Sequence, residues 1–130
     1  MFRWPVRVYY EDTDAGGVVY YANYLKFFER CRTEWLRALG VEQATLAHEQ
    51  ALQFVVVRIE VKFIAPARLD DELAIEARIS QLGRCSLQFE QAALRAGQVL
   101  ARGQVTVACV DARRRQPARL PEALLTRLPR

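Results

Sequence analysis

Histidine is almost absent from this chain. His48 is the only one in 130 residues, beside three cysteines and one methionine. A single imidazole with no partner at ligand spacing gives no zinc set, and it gives no Ser–His or Cys–His pair. His48 is expected at the surface or in a structural role, and neither a metal nor a redox cofactor is expected. The cysteine count is odd and Cys31, Cys85 and Cys109 lie far apart in sequence, which argues against a disulfide framework. Cys31 falls on an apolar helical face and Cys109 in an apolar strand, so both are expected to be small core residues. No uncharged apolar run approaches the ~20 residues that span a bilayer. The first residues, Met1-Phe2-Arg3-Trp4, lack the apolar stretch of a secretory signal. A cytoplasmic chain without a membrane span is the expectation, and a reducing compartment fits the free thiols.

What is present is an ordinary globular composition, 52% hydrophobic and 26% charged. One domain over residues 1–130 is expected, long enough to bury a core. The net charge of +4 is unevenly placed. Residues 112–130 carry six arginines against Glu122 alone, so the body is close to neutral and a basic, solvated tail of about 112–130 follows it. A nucleic-acid-binding face would show basic residues interleaved with aromatics on the folded body; that pattern is missing, and no nucleic-acid partner is expected.

Phe2, Trp4, Val6, Val8 and Tyr10 alternate with other residues in the period of a strand, and Pro5 implies an edge position or a late start to pairing. The acidic, glycine-containing loop Glu11–Gly17 follows, and Glu11 and Asp12 read as solvated loop acids. A long amphipathic helix is predicted from Asn23, read as its N-cap, to Leu39. Tyr24, Phe28, Cys31, Trp35 and Leu39 form its apolar stripe and Gly40 ends it. A short helical turn over 41–51 leads to four antiparallel strands joined as neighbours. The first carries Val57, Ile59, Val61 and Phe63, the second Leu73, Ile75, Ala77 and Ile79, the third Leu87 and Phe89, and the last runs from Val99 to Val110. Pro66 and Asp70-Asp71, Gly83-Arg84 and Ala96-Gly97 mark the turns. A short terminal helix fits 121–128. Five antiparallel strands with one apolar face need a cover, and only the helix from 23 to 39 is long enough to provide it. The class is α+β: a five-stranded antiparallel sheet wrapped around one long central helix, the hotdog arrangement.

The segment between the first strand and the helix carries the chemistry. Asp14 lies in a loop that runs into a helix start. Helix N-termini present unpaired amide N–H groups and partial positive charge, which can hold a carbonyl oxygen as it becomes an oxyanion. A carboxylate beside it can attack the carbonyl or activate a water. Gly16 and Gly17 permit close backbone approach. One carboxylate and amide dipoles are a sufficient set for hydrolysis of a carbonyl compound with a good leaving group.

The stretch Val8-Tyr9-Tyr10-Glu11-Asp12-Thr13-Asp14-Ala15-Gly16-Gly17-Val18-Val19-Tyr20-Tyr21-Ala22-Asn23-Tyr24 resembles the signature of the 4-hydroxybenzoyl-CoA thioesterase family, in its Tol-Pal-associated acyl-CoA thioesterase branch. The likeness continues through Phe28-Glu29-Arg30-Cys31-Arg32-Thr33-Glu34-Trp35-Leu36. The resemblance implies an acyl-CoA thioester hydrolase. Asp14 stands for the catalytic aspartate, as general base or nucleophile, and the Tyr21 backbone N–H for the carbonyl-binding donor. Many relatives carry His where this chain has Tyr21; a backbone role survives that difference. Gly16, Gly17 and Asn23 are implied to shape the substrate site, and Arg84 and Ser86 lie where related enzymes face the CoA phosphates. Arg113–Arg115 are the other candidates for that contact. The resemblance further implies a homodimer or homotetramer with sites at the subunit interface, and acyl-carrier-protein thioesters as a second substrate class. A non-catalytic hotdog module that binds acyl thioesters or serves assembly is the alternative.

Overall fold

The computed structural model describes residues 1–128. Strand β1 spans Phe2–Arg7, helix α1 Asn23–Ala38, helix α2 Gln43–Gln50, β2 Leu52–Phe63, β3 Glu72–Leu82, β4 Ser86–Arg95, β5 Gln98–Asp111, β6 Gln116–Pro117 and α3 Glu122–Arg127. A short 3-10 turn at Tyr10–Asp12 links β1 to the acidic loop. The sheet is antiparallel in the order β1-β3-β4-β5-β2, with β6 paired to β5. The helix–sheet arrangement is the expected one, with β6 as a sixth, two-residue strand. No helix among the described residues is long and apolar enough to cross a membrane.

α1 supplies the centre of the core. Phe27, Phe28 and Cys31 are fully buried, with Tyr24 and Trp35 nearly so, and they meet Leu73, Ile75, Ala77, Leu87, Phe89 and Val105 from the sheet. This is the apolar stripe at helical spacing meeting the inward residues of alternating strands. One polar pair is buried with them. Arg32 donates to Gln91 Oε1 at 2.9 Å, and Gln91 Nε2 donates to the Phe28 carbonyl at 3.0 Å, pinning the helix to β4. Cys31 and Cys109 are both fully buried. Burial pushes the Cys31 thiol up to about 12, so it is an unreactive core residue.

The expected hairpin between the first two of the four later strands is not formed. β2 pairs with β5 at one edge of the sheet, whereas β3 pairs with β1 and β4. The eight residues 64–71 between them are long enough, at about 3.3–3.6 Å each, to cross the open end of the curled sheet. They are held there by the first turn of α1 and the loop before it: Ala67 N–H donates to the Tyr24 hydroxyl at 3.1 Å, and Val19 N–H donates to the Ala67 carbonyl at 2.8 Å. β2 also begins earlier than expected. The register shifts between Val56 and Arg58, so Val57 is a bulge residue, 60% exposed, rather than an inward one. The half-buried residues run Leu52, Phe54 and then Ile59, Val61, because the bulge inverts the alternation.

The C-terminal segment is not a solvated tail throughout. Arg113, Arg114 and Arg115 are exposed at the turn after β5. Beyond them Leu120, Leu124 and Leu128 are buried, the last two with Leu36, Val41 and Leu46 of the α1–α2 region. Apolar residues spaced through a basic segment thus anchor it, and its charges face outward.

Candidate functional site

The loop after β1 folds back on itself. Thr13 and Val19 form an isolated antiparallel bridge, and Asp14 N–H donates to the Val18 carbonyl at 2.9 Å. Gly17 closes the tip with φ +79° and its N–H on the Asp14 carbonyl. Gly16 has a different task. A Cβ there would stand 3.2 Å from Asp14 Oδ1, and without one the Gly16 N–H reaches that oxygen at 2.9 Å. Asp14 itself is exposed, and its Oδ2 meets no hydrogen-bond donor among the described residues.

α1 begins immediately after this loop. Asn23, Tyr24 and Leu25 N–H donate to the carbonyls of Tyr20, Tyr21 and Ala22. The amides of Tyr21 and Ala22 find no acceptor among the described residues, and Tyr21 is 62% exposed. These are the orphan donors of a helix start, open to a ligand. The N-cap position is Ala22, not Asn23. Asn23 is the first helical residue, and its side chain is buried and turned to Asp12, donating from Nδ2 to Asp12 Oδ1 at 2.8 Å. Asp12 is therefore not a solvated loop acid; it is 4% exposed and also accepts the Tyr9 N–H at 2.8 Å.

Aromatic rings pack around this pair of features: Tyr21 meets Phe63 edge-on at 6.0 Å and Tyr24 meets it at 5.5 Å. The loop's outer support is Asp71. Its desolvation is outweighed by hydrogen bonds from the Arg95 guanidinium and the Arg68 N–H, which hold its carboxyl below its ordinary value. Sequence periodicity gave no sign of the roles of Asp12, Ala67 and Asp71, since each also meets a residue far along the chain: Asn23, Tyr24 and Arg95 respectively.

Arg84 and Ser86 sit elsewhere. They occupy the β3–β4 turn, where Gly83 N–H donates to the Ser86 carbonyl. The Asp14 loop lies by the opposite end of β3, near Asp70 and Asp71. β3 has 11 residues, and at about 3.3 Å per residue the two ends stand tens of ångströms apart, so one chain does not bring Arg84 to Asp14. The Arg113–Arg115 turn shares the Arg84 end, because Ser86 lies opposite Ala108 on β5. His48 is exposed on α2 and Cys85 half-buried. A cavity of about 220 Å³ under α1 is lined by Arg32, Thr33, Leu36, Phe54 and Phe89 among others. A larger hollow of about 700 Å³ lies among charged residues of β2 to β5, and Asp14 lines neither.

Comparisons with known proteins identify the family of the chain. A family model described as the thioesterase-like superfamily matches residues 8–128. The acyl-CoA thioesterase YbgC of Haemophilus influenzae is 49% identical over 121 residues, 93% of this chain and 89% of that protein. The crystal structure of a probable thioesterase from Bartonella henselae superposes with a TM-score of 0.87 at 40% identity, covering 92% of this chain and 98% of that one. That of a 1,4-dihydroxy-2-naphthoyl-CoA thioesterase from Synechocystis gives 0.92 at 26% identity, covering 98% and 94%. With the family model spanning nearly the whole chain and a relative at this identity, the chain belongs to the thioesterase-like superfamily.

Proposed function

We propose that this protein hydrolyses acyl-CoA thioesters at the Asp14 loop, releasing CoA and a carboxylic acid. The observation that carries the reading is the pair of unengaged amides at the start of α1, Tyr21 and Ala22, directly following a loop that presents Asp14 with one carboxylate oxygen unengaged. The thioester carbonyl oxygen takes the Tyr21 N–H. The amide and helix dipole favour the oxygen as charge builds on it. Asp14 then supplies the attack by one of two routes. As general base it removes a proton from water, whose oxygen adds to the carbonyl carbon. As nucleophile it forms a mixed anhydride, which water then opens. In both routes the C–S bond breaks and the CoA sulfur leaves as thiolate. The Gly16 N–H holds the carboxylate in place.

The site is completed by a second copy. β2 is a 12-residue edge strand with no partner on its outer side among the described residues, and Val55, Val56 and Val57 are exposed along it. Such an edge favours pairing with another strand, and two-fold pairing satisfies both edges at once. With the axis near the middle of β2, the Phe63 end of one chain lies beside the Leu52 end of the other. Tyr21 touches Phe63, while Leu52 lies opposite Asp111, next to the Arg113–Arg115 turn. The partner's Arg84 and Arg113–Arg115 thereby come to the Asp14 side, where arginines suit the CoA phosphates. Acyl-carrier-protein thioesters present the same reactive bond and form the second substrate class. A cytoplasmic location fits the free thiols of Cys31, Cys85 and Cys109.

The test is thiol release from a panel of short, long and aromatic acyl-CoAs. Turnover of at least one class is expected. A protein that binds acyl-CoA without releasing thiol from any of them is a binding module instead.

A further inference from the structure

Asp12 is the buried carboxylate that the reaction does not use. It is 4% exposed, so no substrate reaches it, yet all its polar groups are engaged. Its N–H donates to the Tyr9 carbonyl at 3.0 Å and its Oδ2 accepts the Tyr9 N–H at 2.8 Å, which fixes the end of the first strand's extension. Its carbonyl accepts the Tyr20 N–H at 2.9 Å. Its Oδ1 accepts the Asn23 amide at 2.8 Å. Asp14 follows two residues after this hub, and the open Tyr21 N–H comes directly between Tyr20 and Asn23's turn of helix. One residue thus ties down both the chain that carries the carboxylate and the chain that carries the carbonyl-binding donor.

We infer that Asp12 is a positioning residue: through Tyr20 and Asn23 it sets where the Tyr21 N–H stands relative to Asp14. This rests on hydrolysis at the Asp14 loop as proposed above. The chemistry demands such a device, since a misplacement of about 1 Å in a reacting geometry costs on the order of 100-fold in rate. A carboxylate suits the hub because both neighbours, Tyr9 N–H and Asn23 Nδ2–H, are donors and a carboxylate only accepts. An amide at position 12 would satisfy one of them and point its own N–H at the other.

The experiment compares four proteins by steady-state hydrolysis of one good acyl-CoA: wild type, Asp12→Asn, Asn23→Ala, and the double variant Asp12→Asn with Asn23→Asp. Circular dichroism and thermal melting confirm folding. Asp12→Asn is expected to lower kcat by ~10–100-fold with KM changed less than about threefold, because Asp12 touches no substrate. Asn23→Ala, which leaves the Tyr9 bond, should show a smaller loss of the same kind. The double variant should regain most of the lost kcat: the new amide oxygen takes the Tyr9 N–H, and its NH₂ donates to the carboxylate introduced at position 23. A purely stabilising role would change melting without this reciprocal rescue of kcat. Wild-type kcat in folded Asp12→Asn, a loss confined to KM, or a double variant no better than the single one would overturn the inference. If Asp12→Asn does not fold, Asn23→Ala with unchanged kcat or an inactive folded double variant does so. Asp14→Asn in the same assay separates the two ideas: its inactivity beside an unaffected Asp12→Asn would refute the positioning role alone.

Discussion

Gly103 sets how closely α1 approaches the sheet. A Cβ there would stand 2.8 Å from the Phe28 ring and 3.4 Å from the Glu60 carbonyl, and Phe28 is fully buried with no room to retreat. Gly103→Ala is therefore expected to destabilise the fold by about 1–3 kcal/mol, the usual cost of overpacking, as read by urea unfolding. Because Phe28 lies nearly two turns from the open amides of Tyr21 and Ala22, the variant should lose stability before it loses kcat; unchanged stability would mean that the helix is free to shift. Single residues were legible from the sequence where local chemistry defined them. Gly17 takes the positive φ of a loop tip, and Cys31 and Cys109 pack as small apolar groups. Asp12 was not legible, because a carboxylate in an acidic loop looks solvated until the donors from Tyr9 and Asn23 are seen to surround it.

At the scale of elements, the alternation of Leu73, Ile75, Ala77 and Ile79 and the helical stripe of α1 were legible because each is a periodicity within one segment. The neighbour relations of β2 were not. Its place beside β5 depends on a connection that crosses the α1 end, and the run Val55-Val56-Val57 hides the bulge that inverts its faces. α3 shows how apolar anchors override a basic composition. Leu124 is fully buried against Leu36, Val41, Leu46 and Leu128. Leu124→Ala should cost about 2–5 kcal/mol, the range for a buried Leu truncated to Ala, measured by denaturant unfolding. A cost within the ~0.5 kcal/mol of an ordinary surface substitution would show that the C-terminal segment is detached in solution.

For the whole molecule, Asp14 and Arg84 stand at opposite ends of the 11-residue β3, and the proposed site therefore needs a second copy of the chain. Complementation tests this without a structure of the assembly. Asp14→Asn and Arg84→Ala chains are coexpressed, and mixed dimers then carry one site with both lesions and one with neither. Activity at low substrate should exceed that of either variant alone; activity equal to the average of the two would place Arg84 outside the site. The central claim, that Asp14 does the chemistry beside the open α1 amides, is tested most directly by kcat for acyl-CoA hydrolysis in Asp14→Asn. Asn keeps the size and an oxygen for the Gly16 N–H, so folding and substrate binding should persist while kcat falls by ~10²–10⁴-fold. A residual rate should remain from the amides. A folded Asp14→Asn enzyme with near-normal kcat would contradict the account.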